Sequence, residues 1–194
     1  MNGILIGLTG KALAGKDTVA GHLHRLHEFS RLAFADPLRE GIKAMFGLGD
    51  WNFTPEGKER VVEWIGKTPR ELLQTLGTQW GRDLVHQQIW CRLMDQRIKP
   101  RMAYGRRVVI TDVRFVDEAR YIHSHGGQIW RVLRPGAATT AHSDHTSKQE
   151  SQRIVADVDL LNDGTLEQLF EQVDAAYSAR LDEMEEIQRI RRAV

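Results

Sequence analysis

The sequence predicts an α/β domain in which a central parallel sheet lies between helices on both faces. Short apolar segments typical of buried strands alternate with amphipathic helical segments, a pattern that favours parallel strands joined by helices. A glycine-containing loop follows the first predicted strand directly. The chain has 194 residues, which fits one compact domain over 1–194.

Composition excludes several classes of protein. Hydrophobic residues make up 41% of the chain and charged residues 27%, which excludes general disorder. The formal net charge of +1 gives no basic field for wrapping a nucleic-acid polymer, so any anionic ligand should be small. The one cysteine cannot form an intrachain disulfide, which fits a reducing cytoplasm. The N-terminal apolar stretch over 4–9 is too short to span a membrane.

The first third of the chain predicts two strand–helix units. The segment 4–9 predicts a buried strand, and Val19, Leu23 and Leu26 give the following helix an apolar face. A second strand is predicted over 31–35, and a helix follows it.

A mainly helical block is predicted over about 38–100. Asp36 can cap its first helix, because the proline after it fits the first helical turn. The capping-box pattern over 68–71 predicts another helix that begins near residue 69. Glycines should interrupt this helix before a second amphipathic stretch over 82–98.

The second half predicts three more strands and a long final helix. The strands are expected over 108–110, 128–133 and 158–161, and a helix over 118–125 separates the first two. A capping box formed by Thr165 and Gln168 should start the final helix, whose apolar face either packs on the core or forms a homodimer.

The segment from Gly10 to Thr18 matches the phosphate-loop pattern, between a predicted strand and a predicted helix. Its glycines allow backbone N–H groups to point at phosphate oxygens, and the helix start adds positive partial charge. Lys16 can neutralise the β- and γ-phosphates. The residues expected to hold the nucleotide are Gly10, Lys11, Ala14, Gly15, Lys16, Asp17 and Thr18.

Asp17 stands where Ser or Thr usually follows the lysine. A carboxylate there repels phosphate unless a cation intervenes, so Asp17 is expected to face Mg²⁺ directly or through its waters. Thr18 can donate to the α-phosphate. The alternative is a glycine-containing helix start in which Asp17 is only a charge partner of the helix N-terminus.

With this loop, the chain resembles phage-type deoxynucleoside monophosphate kinases of the P-loop nucleotide kinase superfamily. The matching segments are 10–20, 34–38, 73–78, 81–83, 110–115 and 118–119, and the Lys16-Asp17-Thr18 ending is part of the likeness. The resemblance implies a three-layer sandwich with a helical acceptor-binding insertion and a lid near 134–153. It also implies phosphoryl transfer from ATP, with Mg²⁺, to a deoxynucleoside monophosphate, in the host cytoplasm if a phage encodes the protein.

The lid departs from the family pattern in one place. The family usually has an acidic residue soon after a His-x-Ser element, whereas Lys148 follows Ser147 here and Glu150 comes later.

Three charged residues after predicted strands are candidates for the reaction. Asp112 can hold Mg²⁺ or its waters, or can simply bond nearby backbone. Arg114 can grip the acceptor phosphate, or can form a surface ion pair. Asp36 can be an active-site carboxylate near the acceptor, a helix cap, or both.

Other polar residues are candidates for binding the two nucleotides. Under the resemblance, the residues expected to read the base and sugar of the acceptor are Gln74, Thr78, Arg82 and Asp83; without it they would be a solvated helix face. Arg134 is expected to be a lid arginine that stabilises the transferring group, or a charged loop edge. Asn162 is expected near adenine, or in an ordinary turn.

Two further interpretations stay open, and one is disfavoured. The fold also suits a kinase for another small phosphorylated acceptor, or a nucleotide-binding regulatory module. A metal cage of histidines is disfavoured, because His22 and His24 cannot share a helix face and no cysteine is near.

Overall fold

The computed structural model describes residues 3–136 and 150–193, and it confirms the parallel α/β fold. The five strands of the sheet are β1 (Ile4–Thr9), β2 (Ser30–Leu32), β3 (Arg107–Ile110), β4 (Gln128–Leu133) and β5 (Val158–Leu161). Their order is β2-β3-β1-β4-β5, and every neighbouring pair is parallel.

Helices connect the strands, and an irregular helical region separates β2 from β3. The α-helices are α1 (Lys16–His27), α2 (Asp36–Phe46), α3 (Pro69–Gln74), α4 (Ile89–Ala103), α5 (Val116–Ser124) and α6 (Leu166–Ala193). Between α2 and α4, the chain also forms 3₁₀ turns at Asp50–Phe53 and Gly57–Glu59, and a π-helical segment, Thr75–Val85.

The sheet has a core on each face, which makes three layers. Every residue of β1 is buried. Ile4, Ile6 and Leu8 join a core with α1 and α6, whereas Leu5 joins a second core with α4 and α5. Side chains alternate between the two faces of a strand, so a strand covered on both faces is apolar throughout, as β1 is.

Both predicted capping boxes form. The Thr68 backbone N–H donates to Glu71 Oε2 at 2.8 Å, and the Glu71 N–H donates back to Thr68 Oγ1 at 3.2 Å. At the start of α6, the Thr165 N–H donates to Gln168 Oε1 at 2.9 Å, and the Gln168 N–H donates to Thr165 Oγ1 at 3.3 Å. These bonds satisfy backbone donors that have no partner inside a helix.

Several predicted boundaries and faces were wrong. The strand expected over 31–35 ends at Leu32, and the helix expected from residue 82 begins at Ile89, because the π-helical segment continues through Val85. Leu26 was expected in the core but is 63% exposed; His22 is buried on α1 instead, with its ring stacked on Phe170 of α6. Among the described residues, no helix combines the length and apolarity needed to cross a membrane.

Candidate active site

The site lies where the carboxyl ends of the parallel strands meet, the edge at which α/β sheets bind ligands. The loop between β1 and α1 carries the phosphate-loop pattern, and Gly10 and Gly15 have φ of +130° and +109°. A Cβ on Gly10 would lie 2.4 Å from the Val132 carbonyl oxygen, and one on Gly15 would lie 2.6 Å from Asn162 Nδ2. Both positions therefore require glycine, for conformation and for space.

Lys16 begins α1 and folds back over this loop. Its Nζ donates to the carbonyl oxygens of Gly10 at 2.9 Å and Lys11 at 2.7 Å. Burial and the charge of Arg114 lower the pKa of Lys16 to about 8, although Asp17 and Asp112 oppose the shift. The lysine therefore lies within the electrostatic reach of three residues that the sequence nominated for the site.

Asp17 and Thr18 follow in the first turn of α1. The Asp17 side chain is 90% exposed, and its Oδ1 lies 3.5 Å from Arg31 Nη2. Thr18 is half-buried. A carboxylate this exposed beside Lys16 has oxygens open to an ion, so the donor set fits the Mg²⁺ that the sequence suggested.

Asp112 follows β3 and ties two strand ends together. Its Oδ1 accepts from the Phe34 N–H at 2.7 Å and its Oδ2 from the Ala35 N–H at 3.0 Å, so the backbone-bonding alternative is present in the structure. Burial raises the pKa of Asp112, while Arg114 and the two backbone donors oppose the rise. Each oxygen keeps a lone pair, so a contact to Mg²⁺ or its waters stays compatible with these bonds.

Asp36 does not cap α2 as the sequence predicted. It is the first residue of α2, with Ala35 at the N-cap position. Its Oδ2 accepts from the Ala33 N–H at 2.7 Å, and its Oδ1 accepts from Arg39 Nη1 at 3.2 Å. Asp36 is also absent from the lining of the cleft described next. The carboxylate therefore holds the turn before α2.

A cleft of about 200 Å³ lies between the irregular helical region and the strand ends. Its cationic residues are Arg39, Lys58, Arg70, Arg82 and Arg114. Its aromatic residues are Phe34, Phe53, Trp90 and Phe115, and Gln74 and Thr78 add polar groups. The cleft thus combines positive charge with aromatic surface, a lining suited to a nucleotide.

Two glycines shape the π-helical wall of this cleft. The Trp90 Nε1–H donates to the Gly77 carbonyl oxygen at 2.8 Å. A Cβ on Gly81 would lie 2.3 Å from the Trp90 ring, so only glycine allows this approach. The sequence predicted an interruption here, and the contact with Trp90 explains it.

The structure separates the predicted acceptor residues into three groups. Gln74, Thr78 and Arg114 line the cleft together. Asp83 is exposed and does not line this cleft, so its contact with the acceptor stays a prediction. Arg82 lines the cleft, but ion pairs occupy its guanidinium.

Those ion pairs bury Arg82 against α5. Its Nη1 donates to Asp117 Oδ2 at 2.7 Å and its Nη2 to Glu118 Oε1 at 2.6 Å, and the guanidinium lies 3.9 Å from the centre of the Phe115 ring. Glu118 also accepts from the backbone N–H groups of Arg114 and Phe115. Arg82 therefore fixes the segment that carries Arg114.

Sequence reasoning missed several cleft cations. Burial, and then the charges of Arg70, Arg114 and Arg39, lower the pKa of Lys58, while Glu59 opposes the shift. The missed cations, Arg39, Lys58 and Arg70, come from three separate segments, so no common local pattern marks them. The capping box over 68–71 was the one available signal, because it places Arg70 in the first turn of a helix.

A second cavity, of about 470 Å³, adjoins the phosphate loop. Its lining includes Gly10, Lys11 and Arg134, and Arg134 Nη1 donates to the Leu13 carbonyl oxygen at 3.4 Å. Arg131 also lines it, but two bonds to Asp159, at 2.7 and 3.0 Å, occupy its guanidinium. The structure therefore favours Arg134 over Arg131 as the cation near the loop.

Asn162 contacts the phosphate loop itself. Its Nδ2 donates to the Ala14 carbonyl oxygen at 2.7 Å, and its backbone N–H donates to Leu133 O at 2.7 Å. The expected lid lies mostly outside the described residues, including Ser147 and Lys148. Glu150, at its end, pairs with Arg153 at 3.3 Å.

A phosphate loop and an adjoining cationic cleft at the strand ends of this sheet define a P-loop kinase. Solved structures agree at the level of the fold. TT1252 from Thermus thermophilus matches with a TM-score of 0.52 and 20% identity, over 93% of this chain and 99% of that chain. The Mycobacterium tuberculosis APS kinase CysC, in complex with AMPPNP and APS, matches with a TM-score of 0.50 and 16% identity, over 89% and 96%.

The chain belongs to the deoxynucleotide monophosphate kinase family, whose sequence model matches residues 56–173. A protein of Acanthamoeba polyphaga mimivirus that carries this family's name is 36% identical over 188 residues, 88% of this chain and 94% of its own. The deoxynucleoside-5'-monophosphate kinase of Escherichia phage T5 is 34% identical over 101 residues, 48% of this chain and 38% of its own. The resemblance inferred from the motifs is confirmed, and the chain is a phosphotransferase.

Proposed function

We propose that this chain transfers the γ-phosphoryl group of ATP to a deoxynucleoside monophosphate, giving ADP and a deoxynucleoside diphosphate. The observation that carries the proposal is the convergence of Arg39, Lys58, Arg70 and Arg114 in a cleft beside the phosphate loop. Ion pairs with Asp36 and Glu59 partly neutralise Arg39 and Arg70. Burial and the neighbouring arginines still lower the pKa of Lys58, and a phosphate dianion would stabilise its charged form. Family membership supports the same substrate class.

The acceptor would lie in the cleft with its phosphate among these cations. The half-buried Phe53 offers an apolar face for the base, and the half-buried Gln74 and Thr78 can hydrogen-bond to its edge or to the sugar. Arg114, two residues beyond Asp112, would hold the acceptor phosphate nearest the phosphate loop.

The donor nucleotide would lie over the phosphate loop. Lys16 would leave the carbonyl oxygens of Gly10 and Lys11 and bind the β- and γ-phosphates, since phosphate oxygens are stronger acceptors for an ammonium group than carbonyl oxygens. Arg134 would approach the same phosphates from the edge of β4.

Asp17 and Asp112 would hold Mg²⁺ or its bound waters. When bound, the ion neutralises charge on the phosphate oxygens of the donor. The acceptor phosphate is already a nucleophile at neutral pH, so the residues act by placing the two nucleotides in line and by offsetting charge. No side chain is needed as a general base.

An acceptor screen tests this function. ADP release from Mg-ATP is measured with dAMP, dGMP, dCMP, dTMP, their ribose counterparts, and no acceptor. We expect acceptor-dependent turnover that Lys16→Ala abolishes, and that Lys99→Met preserves because Lys99 is an exposed lysine of α4 outside the cleft. Turnover on none of these monophosphates, with ATP still bound, would reject the proposal and favour another phosphorylated acceptor or a regulatory module.

A further inference from the structure

A second group of converging side chains lies on the opposite end of α1 from the phosphate loop. His22 Nε2 and His27 Nε2 each lie 2.8 Å from the same oxygen, Asp174 Oδ1 on α6. The three candidate ligand atoms all lie within 4.8 Å of one another. The sequence analysis disfavoured a metal site among the histidines of this helix, because His22 and His24 cannot share a face. It had no signal for Asp174, which is far along the chain.

Packing holds these side chains in place. The His22 ring stacks on Phe170 with centroids 4.1 Å apart, and its side chain is 5% exposed. The His27 ring packs against Tyr177 at 4.3 Å. Tyr177 has a buried hydroxyl with no hydrogen-bond partner among the described residues. The two rings are thus held with their Nε2 atoms directed at the same oxygen, Asp174 Oδ1.

The donor atoms suit a late first-row divalent ion. Two imidazole nitrogens and one carboxylate oxygen form a common ligand set for Zn²⁺, which binds such atoms at about 2.0–2.2 Å. Ligand atoms in a tetrahedral site are then about 3.3 Å apart, so each N–O pair would open by about 0.5 Å. Asp174 is 44% exposed, which leaves room for water as a fourth ligand.

The surrounding charges are compatible with a cation. The histidines lie in the last two turns of α1, where the helix dipole places negative partial charge. Arg107 is a nearby positive group, and its Nη1 donates to the His27 carbonyl oxygen at 2.9 Å. The carboxylate of Asp174 offsets this charge.

We propose that His22, His27 and Asp174 form a binding site for a divalent transition-metal ion, with Zn²⁺ the best match, that links α1 to α6. The ligands come from elements about 150 residues apart, so the complete site exists only in the folded chain. Bound metal therefore favours the folded state by mass action.

Metal titration of the chelator-treated protein tests the proposal. Co²⁺ in a four-coordinate, near-tetrahedral site gives visible absorption bands much stronger than those of six-coordinate Co²⁺ such as the hydrated ion. We expect this signal at one equivalent in the wild-type protein, and its displacement by Zn²⁺. With Zn²⁺ at a hundred times its Kd, we expect Tm to rise by ~5–10 °C.

Two variants assign the signal to these residues. His27→Gln and Asp174→Asn preserve size and are expected to abolish the strong absorption and the Tm rise, while acceptor-dependent turnover continues. His22 is not replaced, because its side chain is buried and its loss would disturb the core. The matched control is His125→Gln, which breaks a similar histidine–carboxylate pair with Asp95. A second control, the double change His142→Gln and His145→Gln, covers histidines outside the described residues.

The outcomes separate the alternatives. Loss of the signal in both cluster variants but in neither control supports the site. A wild-type protein without strong Co²⁺ absorption, or a signal lost only in a control, overturns the proposal and leaves the cluster as a set of hydrogen bonds. Because the readouts are spectral and thermal, failure here is distinct from failure of the kinase function.

Discussion

The two halves of the nucleotide site are built in different ways. The phosphate loop is one continuous segment between β1 and α1, and its glycines, lysine and carboxylate follow one another in order. The acceptor cleft takes its cations from α2, a 3₁₀ turn, α3 and the segment after β3. A site made from one segment can be identified from a pattern, whereas a site assembled from four segments depends on the tertiary structure.

The largest expected effect concerns Arg82, whose ion pairs with α5 stabilise one wall of the cleft. Arg82→Met leaves Glu118 buried without its guanidinium partner, which should lower the free energy of unfolding by about 3–5 kcal/mol. Urea unfolding measures the change. Arg120→Met, an exposed change on α5, should stay within about 0.5 kcal/mol. If Arg82→Met keeps wild-type stability but loses acceptor binding, Arg82 belongs with the substrate contacts after all.

A smaller effect should distinguish the cleft from the loop. Lys58→Met removes one charged contact to the acceptor phosphate, so KM for the acceptor should rise about 10–100-fold. KM for ATP should change little, because Lys58 does not line the cavity beside the loop. Steady-state kinetics with each substrate varied in turn gives both values. An equal rise in the two KM values would contradict the separation of the halves.

The phosphate loop should show a proton linkage. Lys16 has a pKa of about 8 in the unliganded protein, and bound phosphates should restore its proton. At pH 8.5, ATP binding should therefore take up ~0.7 proton, and at pH 7 much less. Calorimetry in buffers of different ionisation enthalpy measures the uptake. Lys16→Arg serves as the control, because arginine stays charged; uptake that persists in this variant would assign the proton elsewhere.

The same lysine links pH to stability. Its pKa is lower in the folded chain than the ordinary value of 10.5, so the unfolded chain holds more protons between pH 8 and 10.5. The Lys16 contribution to the free energy of unfolding therefore rises with pH across this window. Urea unfolding of the wild-type protein and Lys16→Met at pH 7.5 and pH 10 measures this contribution. The free energy of unfolding of the wild type, relative to that of the variant, should be larger at pH 10 than at pH 7.5.

A helix glycine gives the smallest effect, and a loop glycine gives the contrast to it. Gly21→Ala on α1 meets open space, so it should stabilise the helix by about 0.5–1 kcal/mol. Gly10→Ala should instead destabilise the loop, because of its φ of +130° and its approach to Val132. Thermal unfolding and ATP titration of both variants compare them. A tolerated Gly10→Ala would show that the loop is less constrained than its geometry indicates.

The fold was predictable because its signals are local. Apolar runs marked β1, β3, β4 and β5, and side-chain pairs marked the starts of α3 and α6. The errors arose where tertiary contacts decide which side chains are buried. Leu26 fits the apolar face of α1 by spacing, yet His22 is buried because Phe170 stacks on it.

The candidate site was predictable to a smaller extent. Lys16, Asp112 and Arg114 follow strand ends, and parallel strands bring their carboxyl ends to one edge. Arg82 was placed with the acceptor by its position along the chain, and that position carries no signal for its ion pairs with α5. Lys58 and Arg39 gave no signal, because long-range packing alone brings them together.

The bond from Asn162 to Ala14 joins residues 148 positions apart. The ribosome therefore makes the phosphate loop well before it makes the side chain that holds the loop backbone. A nascent chain that stops before β5 carries the whole motif without this support. Full nucleotide affinity should consequently appear only after residue 162 has left the exit tunnel.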